Sequence, residues 1–308
     1  MSVEVRAIVS LETWFGFAAA VLLLVGCAEE RSVPPEIKEL TVEGADTTLA
    51  VRVAGSVKTG NVLIALHGGP GMSSGYLRDL EQLAGPDLAV VTYDQRGAGR
   101  STSPPDEPAS YTFEKYVQDL EAVRAEIGVQ RVHLLGHSWG GVLAMRYTVA
   151  HPHQVRSIVL MGSGAPSMAA VREAQVQRMQ RIGALQKQGL LPAQITSVQD
   201  LLPSYLSDPA AGLPAALEDL DYTPRVEELT WAALGEYDFT SEVGAIEQPV
   251  LLLWGEGDPF GVQMAEATRA ALSNAQVEFV LLEKCGHFWH ECPEQFYPRV
   301  RAFLDGET

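Results

Sequence analysis

The stretch Gly136-His137-Ser138-Trp139-Gly140-Gly141 comes after the apolar run Val132-His133-Leu134-Leu135 and leads into Val142-Leu143-Ala144-Met145-Arg146-Tyr147. The pattern predicts a strand, a sharp turn carrying one serine between glycines, and then a helix, the G-x-S-x-G nucleophile elbow. In so tight a turn, side chains two residues either side of the serine would collide with strand and helix, which accounts for Gly136 and Gly140. The turn lifts Ser138 above the sheet and aims the N–H groups just after it at whatever the hydroxyl attacks.

G-x-S-x-G alone occurs by chance in many chains, so its meaning depends on the residues downstream. A serine hydroxyl is a poor nucleophile near neutral pH and needs a general base, and that base needs an orienting carboxylate. In the strand-end version of this chemistry the chain order is Ser, then Asp or Glu, then His. Past the elbow, Gln248-Pro249-Val250-Leu251-Leu252-Leu253-Trp254-Gly255-Glu256-Gly257-Asp258 reads as a buried strand ending in a Gly-rich turn. Val277-Glu278-Phe279-Val280-Leu281-Leu282 reads as another strand, with Cys285-Gly286-His287 shortly after it. Taken singly, Asp258 could cap a helix and His287 could be an ordinary loop histidine. With the elbow, they stand where acid and base belong, and the expected triad is Ser138, Asp258 and His287.

A tetrahedral intermediate also needs donors for its oxyanion. The N–H of Trp139 is one. Asn61-Val62-Leu63-Ile64-Ala65-Leu66 reads as a core strand running into His67-Gly68-Gly69-Pro70-Gly71, and Gly69 is the expected second donor. A plain Gly/Pro turn is the alternative reading.

His67-Gly68-Gly69-Pro70-Gly71, Asp94-Gln95-Arg96-Gly97-Ala98-Gly99-Arg100-Ser101 and the elbow together resemble the proline iminopeptidase family of α/β-hydrolases. The resemblance runs from about Glu36 to the C-terminus, with an unmatched stretch in the middle. It implies an α/β-hydrolase fold: a mostly parallel eight-stranded sheet flanked by helices, with an inserted helical cap. It also implies Ser138 as nucleophile, Asp258 as acid, His287 as base, and no metal or organic cofactor. Asp94 and Arg96 take a supporting role in the Asp-Gln-Arg-Gly turn.

The chain has 308 residues, 46% of them hydrophobic, enough for one large core. A formal charge of −17 argues against a nucleic-acid partner, and its even spread describes a solvated surface. Trp14 to Val25 is an uncharged apolar run of 12 residues, too short to span a bilayer comfortably. It leads into Leu24-Val25-Gly26-Cys27, which resembles a bacterial lipobox, so residues 1–27 read as a lipoprotein-type signal peptide lipidated at Cys27. An uncleaved anchor or a buried N-terminal helix is the alternative, and Arg6 against Glu4 and Glu12 is a weak basic start. Residues 28–35 then form a tether. The expected location is the cell envelope, at the periplasmic face of the outer membrane, with the membrane touched only through the lipid. Of the three cysteines, Cys285 and Cys292 flank His287, and either a disulfide or two separate buried thiols is compatible with the sequence.

Thr41 to Val53 reads as an antiparallel opening hairpin, Asp87 to Tyr93 as a strand, and Thr112 to Ile127 as an amphipathic helix stopped by Gly128. Val155 to Met161 is a further core strand. Strand signals then vanish until Tyr237-Asp238-Phe239-Thr240. Met168 to Gln188 is helical, and Pro192, Pro203, Pro209 and Pro214 separate shorter helices. The expected layout is a core of residues 36–164 and 238–308, with a cap of residues 165–237 inserted after the sixth strand. Pro293 to Leu304 is the closing helix.

Releasing an N-terminal residue requires a carboxylate for the free amine. The resemblance points to a cap glutamate shortly before re-entry, where this chain has Val226-Glu227-Glu228-Leu229-Thr230. Glu228 and Glu227 are therefore the amine candidates, with ordinary solvated helix residues as the alternative. Some relatives carry a glutamate directly after the triad acid, where this chain has Pro259. The expected function is a serine aminopeptidase releasing proline, or other residues, from a small peptide. A carboxylesterase or lactonase acting on an ester is the runner-up, and a non-catalytic surface lipoprotein is the third class. Epoxide hydrolase and dehalogenase chemistry is disfavoured because the elbow carries serine, not aspartate.

Overall fold

The structure is a computed structural model that describes residues 34–306. Cys27 and the apolar run before it lie outside the described residues.

The frame is an eight-stranded sheet of β1 (Ile37–Glu43), β2 (Thr48–Ala54), β3 (Val62–Leu66), β4 (Ala89–Tyr93), β5 (Val132–His137), β6 (Val155–Met161), β7 (Val250–Gly255) and β8 (Val277–Leu282). The spatial order is β1-β2-β4-β3-β5-β6-β7-β8. The hairpin pairs Ile37 with Ala54 and Glu43 with Thr48, so it opens earlier than the alternating pattern from Thr41 suggests. β2 is antiparallel to β4, and every pairing from β4 through β8 is parallel. β3, β5 and β7 are buried along their whole length, because helices cover both faces of the sheet. Their near-continuous apolar runs reflect that double burial.

The flanking helices begin with α1 (Phe113–Glu126), whose N-terminal Thr112 hydroxyl accepts from the Lys115 N–H, and α2 (Trp139–Ala150). Between β6 and β7 come α3 (Met168–Lys187), α4 (Val198–Leu201), α5 (Ala215–Glu218), α6 (Pro224–Leu234) and α7 (Thr240–Val243). α8 (Val262–Ala271) and α9 (Pro293–Gly306) complete the chain. The inserted helices carry a small apolar cluster of their own, Ile182, Leu185 and Leu191 with Leu201 against it. They are stitched to the loop after β3 by main-chain bonds: Ser73 N–H to the Asp221 carbonyl at 2.9 Å and Thr223 N–H to the Gly71 carbonyl at 2.8 Å.

Because β3, β5, β6, β7 and β8 run in one direction, the loops after them gather at one edge of the sheet. His67–Gly69, Ser138, Gly162, Asp258 and His287 all fall there, the position where open α/β sheets bind ligands.

Candidate active site

Ser138 has φ 55° and ψ −119°, a left-handed conformation that costs a non-glycine residue about 1–3 kcal/mol. The surroundings hold it there. Its N–H donates to the Met161 carbonyl at 3.0 Å, and its carbonyl accepts from Gly141 at 3.0 Å and Gly164 at 3.1 Å. A Cβ on Gly136 would stand 2.4 Å from the Gly140 carbonyl oxygen, and one on Gly140 would stand 2.1 Å from the Leu66 carbonyl oxygen. Both glycines are therefore required by space.

His287 Nδ1 meets Asp258 Oδ2 at 2.7 Å, and both side chains are buried. Asp258 is held in turn by the Phe260 N–H, which donates to Oδ1 at 2.9 Å. With Nδ1 donating to the carboxylate, Nε2 of His287 is left as the acceptor, the tautomer a general base needs. The His287 main chain is anchored by its N–H to the Tyr205 carbonyl at 2.8 Å. Cys285 and Cys292 are joined as a disulfide across the loop that carries it, which resolves the two readings of these cysteines.

Ser138, His287 and Gly69 line one cavity of about 340 Å³. The N–H of Trp139 opens α2 and, as the first of the helix, has no carbonyl a turn back to satisfy it. The indole is fixed by a 2.8 Å bond from Nε1 to Gln95 Oε1 and by stacking on Phe113 at 5.9 Å. The loop of Gly69 is fixed by Gln95 as well, whose N–H donates to His67 Nε2 and whose side-chain amide donates to the His67 carbonyl, both at 2.9 Å. His67 must stay neutral to accept at Nε2. Burial lowers its pKa and keeps it so.

Residues between β6 and β7, among them Arg178, Tyr205 and Glu227, also line the cavity. Glu227 on α6 lines it, held by the Tyr222 hydroxyl and by Trp231 Nε1 at 3.3 Å, and burial raises its pKa. Glu228 does not line it. That side chain is exposed and pairs with Arg225 at 2.8 Å, because one helical step of about 100° turns it to the solvent face. Of the two amine candidates, only Glu227 shares a cavity with Ser138.

The profile of the α/β hydrolase fold family matches residues 61–291. A proline iminopeptidase of Lactobacillus crispatus is 30% identical over 279 residues, covering 82% of this chain and 93% of its own. The chain belongs to the proline iminopeptidase-like α/β-hydrolases. It is a hydrolase. A proline iminopeptidase of Thermoplasma volcanium is 29% identical over 266 residues, covering 77% of this chain and 86% of its own. The crystal structure of a proline iminopeptidase of Mycobacterium smegmatis superposes with a TM-score of 0.66 at 23% identity, over 88% of this chain and 98% of that one, a likeness of fold.

Several residues of the hydrolase site carry no signal in local sequence. The Gly68 N–H donates to the Tyr76 hydroxyl at 2.7 Å, and that hydroxyl donates to His137 Nδ1 at 2.7 Å. His137 Nε2 then donates to the His287 carbonyl at 3.0 Å. This relay ties the Gly69 loop, the elbow and the His287 loop together. Burial drives the His137 pKa well below its usual range, so the ring stays neutral and can accept from Tyr76. Gly162, with φ +52°, makes room for the His287 ring: a Cβ there would lie 2.9 Å from His287 Nδ1. Glu291 accepts from the N–H groups of Gly286 at 2.8 Å and Ser207 at 2.9 Å, binding the His287 loop to the inserted segment.

The Asp-Gln-Arg-Gly turn is structural apart from Gln95. Asp94 accepts from the Ser74 N–H at 2.7 Å and the Arg100 N–H at 2.8 Å. Arg96 is fully buried and grips Asp119 through bonds of 2.8 and 2.9 Å.

Proposed function

We propose that this hydrolase is a serine aminopeptidase that releases N-terminal residues, proline foremost, from short peptides. One observation carries the reading: a carboxylate, Glu227, shares a single cavity with Ser138, Gly69 and His287. Glu227 holds the substrate ammonium, and the neighbouring carbonyl carbon comes to Ser138. The hydroxyl oxygen attacks that carbon while His287 Nε2 takes its proton, and Asp258 stabilises the imidazolium that forms. The N–H groups of Gly69 and Trp139 receive the developing oxyanion. Collapse of the intermediate breaks the C–N bond, His287 passes its proton to the leaving amine, and water then releases the acyl group by the same route. Residues 165–237 act as the cap that sets the size of the substrate.

Purified full-length protein is expected to hydrolyse a proline arylamide with higher kcat/KM than a short acyl arylester. Ser138→Ala should abolish fluorophosphonate labelling, and Asp258→Asn should lower kcat by about four orders of magnitude through loss of the correct tautomer. The opposite substrate preference would assign a carboxylesterase or lactonase. Absence of turnover and of labelling would assign a non-catalytic protein.

We also infer that the chain is lipid-anchored at Cys27, on the periplasmic face of the outer membrane. The support is the run Trp14 to Val25 ending in Leu24-Val25-Gly26-Cys27. Processing in cells should be blocked by globomycin, and normal processing in its presence would remove the anchor.

A further inference from the structure

The aminopeptidase reading accounts for one charge of the cavity and leaves another unused. Arg178 on α3 lines the same cavity as Ser138 and Glu227. Its guanidinium sits over the Tyr205 ring, 4.8 Å from the centroid, and 5.8 Å from that of Phe260. Its Nη1 contacts Gln175 Oε1 at 3.3 Å. Its Nε is buried with no hydrogen-bond partner, and among the described residues it makes no ion pair with a carboxylate. A guanidinium presents donors in a fixed fork suited to a carboxylate, and a desolvated donor without a partner is costly unless something supplies one. The substrate is the remaining candidate.

Its place in the cavity says which part of the substrate. The two rings beneath Arg178 also flank the base: Tyr205 lies 5.3 Å and Phe260 5.0 Å from the His287 ring. His287 delivers its proton to the leaving nitrogen, so the leaving residue lies on that side. Glu227, on α6 beside Tyr222 and Trp231, lines the same cavity, near enough for the Arg178 charge to favour its ionised form yet not paired with it. The cavity thus offers an anion for one end of a short substrate and a cation for the other.

We propose that Arg178 binds the carboxylate of the leaving residue, so that free dipeptides, charged at both ends, are the preferred substrates. This rests on the aminopeptidase reading. Arg178 is a specificity-determining residue and takes no part in proton transfer.

The test compares Pro-Ala, Pro-Ala-amide and Pro-Glu-amide on full-length wild type, Arg178→Gln and Arg178→Lys. Wild type is expected to favour Pro-Ala over Pro-Ala-amide by about tenfold or more in kcat/KM, mainly through KM. In Arg178→Gln that ratio should fall to near one because Pro-Ala loses far more kcat/KM than Pro-Ala-amide, and an unchanged circular dichroism spectrum and melting temperature report a folded variant. Arg178→Lys keeps the charge and should retain part of the preference. Equal use of acid and amide by wild type, or a preference that survives Arg178→Gln, would overturn the assignment. Faster cleavage of Pro-Glu-amide than of Pro-Ala would transfer the carboxylate to a side chain and overturn the dipeptide preference. Ester hydrolysis without cleavage of any peptide would overturn the aminopeptidase reading and this one with it.

Discussion

His137 Nε2 donates to the main-chain carbonyl of His287 across 3.0 Å, so the residue beside the elbow serine holds the loop that carries His287. The bond depends on Tyr76, whose hydroxyl fixes the other ring nitrogen. Tyr76→Phe leaves the Gly68 N–H and His137 Nδ1 buried without partners. A loss of about 1–3 kcal/mol in urea unfolding is expected. The reacting groups shift relative to each other, so kcat should fall more than KM rises. Unchanged kcat would show that the three loops keep their places without this relay.

As the proposed amine ligand, Glu227 would bind an ammonium only when ionised, and burial raises its pKa above the ordinary 4.5. The ionised form is therefore lost, as pH falls, earlier than for a solvated glutamate. KM for a proline arylamide should rise on that acid limb. Glu227→Gln should raise KM about tenfold to a hundredfold and flatten the limb, while an N-blocked ester is unaffected. A KM that ignores the substitution would remove Glu227 from the amine site.

His133 spans the start of three strands, with Nδ1 on Ser157 Oγ at 2.7 Å and Nε2 on Asn61 Oδ1 at 3.0 Å. Burial, aided by Arg156 and Arg131, lowers its pKa from 6.5 to about 4. The unfolded chain thus takes up a proton that the folded one refuses. Stability is complete above pH 6.5 and is lost as pH falls toward 4, by about 3 kcal/mol at 1.36 kcal/mol per pKa unit. His133→Gln should lose less than wild type over that window in unfolding experiments at stepped pH. Parallel losses in the two proteins would refute the assignment.

Arg96 and Asp119 form a buried pair, and burial pushes Asp119 up to about 6 even beside the guanidinium. Arg96→Met strands that carboxylate and should cost about 3–5 kcal/mol in stability. The added Asp119→Leu change should recover much of it, because the uncompensated charge is then gone. Denaturant midpoints of the single and double variants would check this, and additive losses would contradict it.

What could be read from the chain alone was whatever is short-range. Gly136, Ser138 and Gly140 declare a turn because a strand reversing into a helix leaves no room for side chains at those positions. The apolar runs of β5, β6 and β7 declare strands buried on both faces, and the vanishing of such runs after Met161 marks the inserted helices. Strand ends shift by a few residues, as at Ile37 and Ala89, because pairing with a neighbour, not propensity, sets them. The choice between Glu227 and Glu228 was out of reach, since adjacent helical residues differ only in which way the helix rolls against the core.

Gly162 and Arg178 stand far along the chain from His287, and Tyr76 and Glu291, although close to Gly68 and Gly286, find their second partners at His137 and Ser207, which nothing near them in sequence announces. The order of motifs by itself determined the fold and the chemistry it can host, because a nucleophile elbow has few ways to be built. Only the tertiary structure decided which charges face the cavity and which hydrogen bonds lock its loops. Those depend on side chains brought together through space, and local sequence pattern carries no record of such contacts.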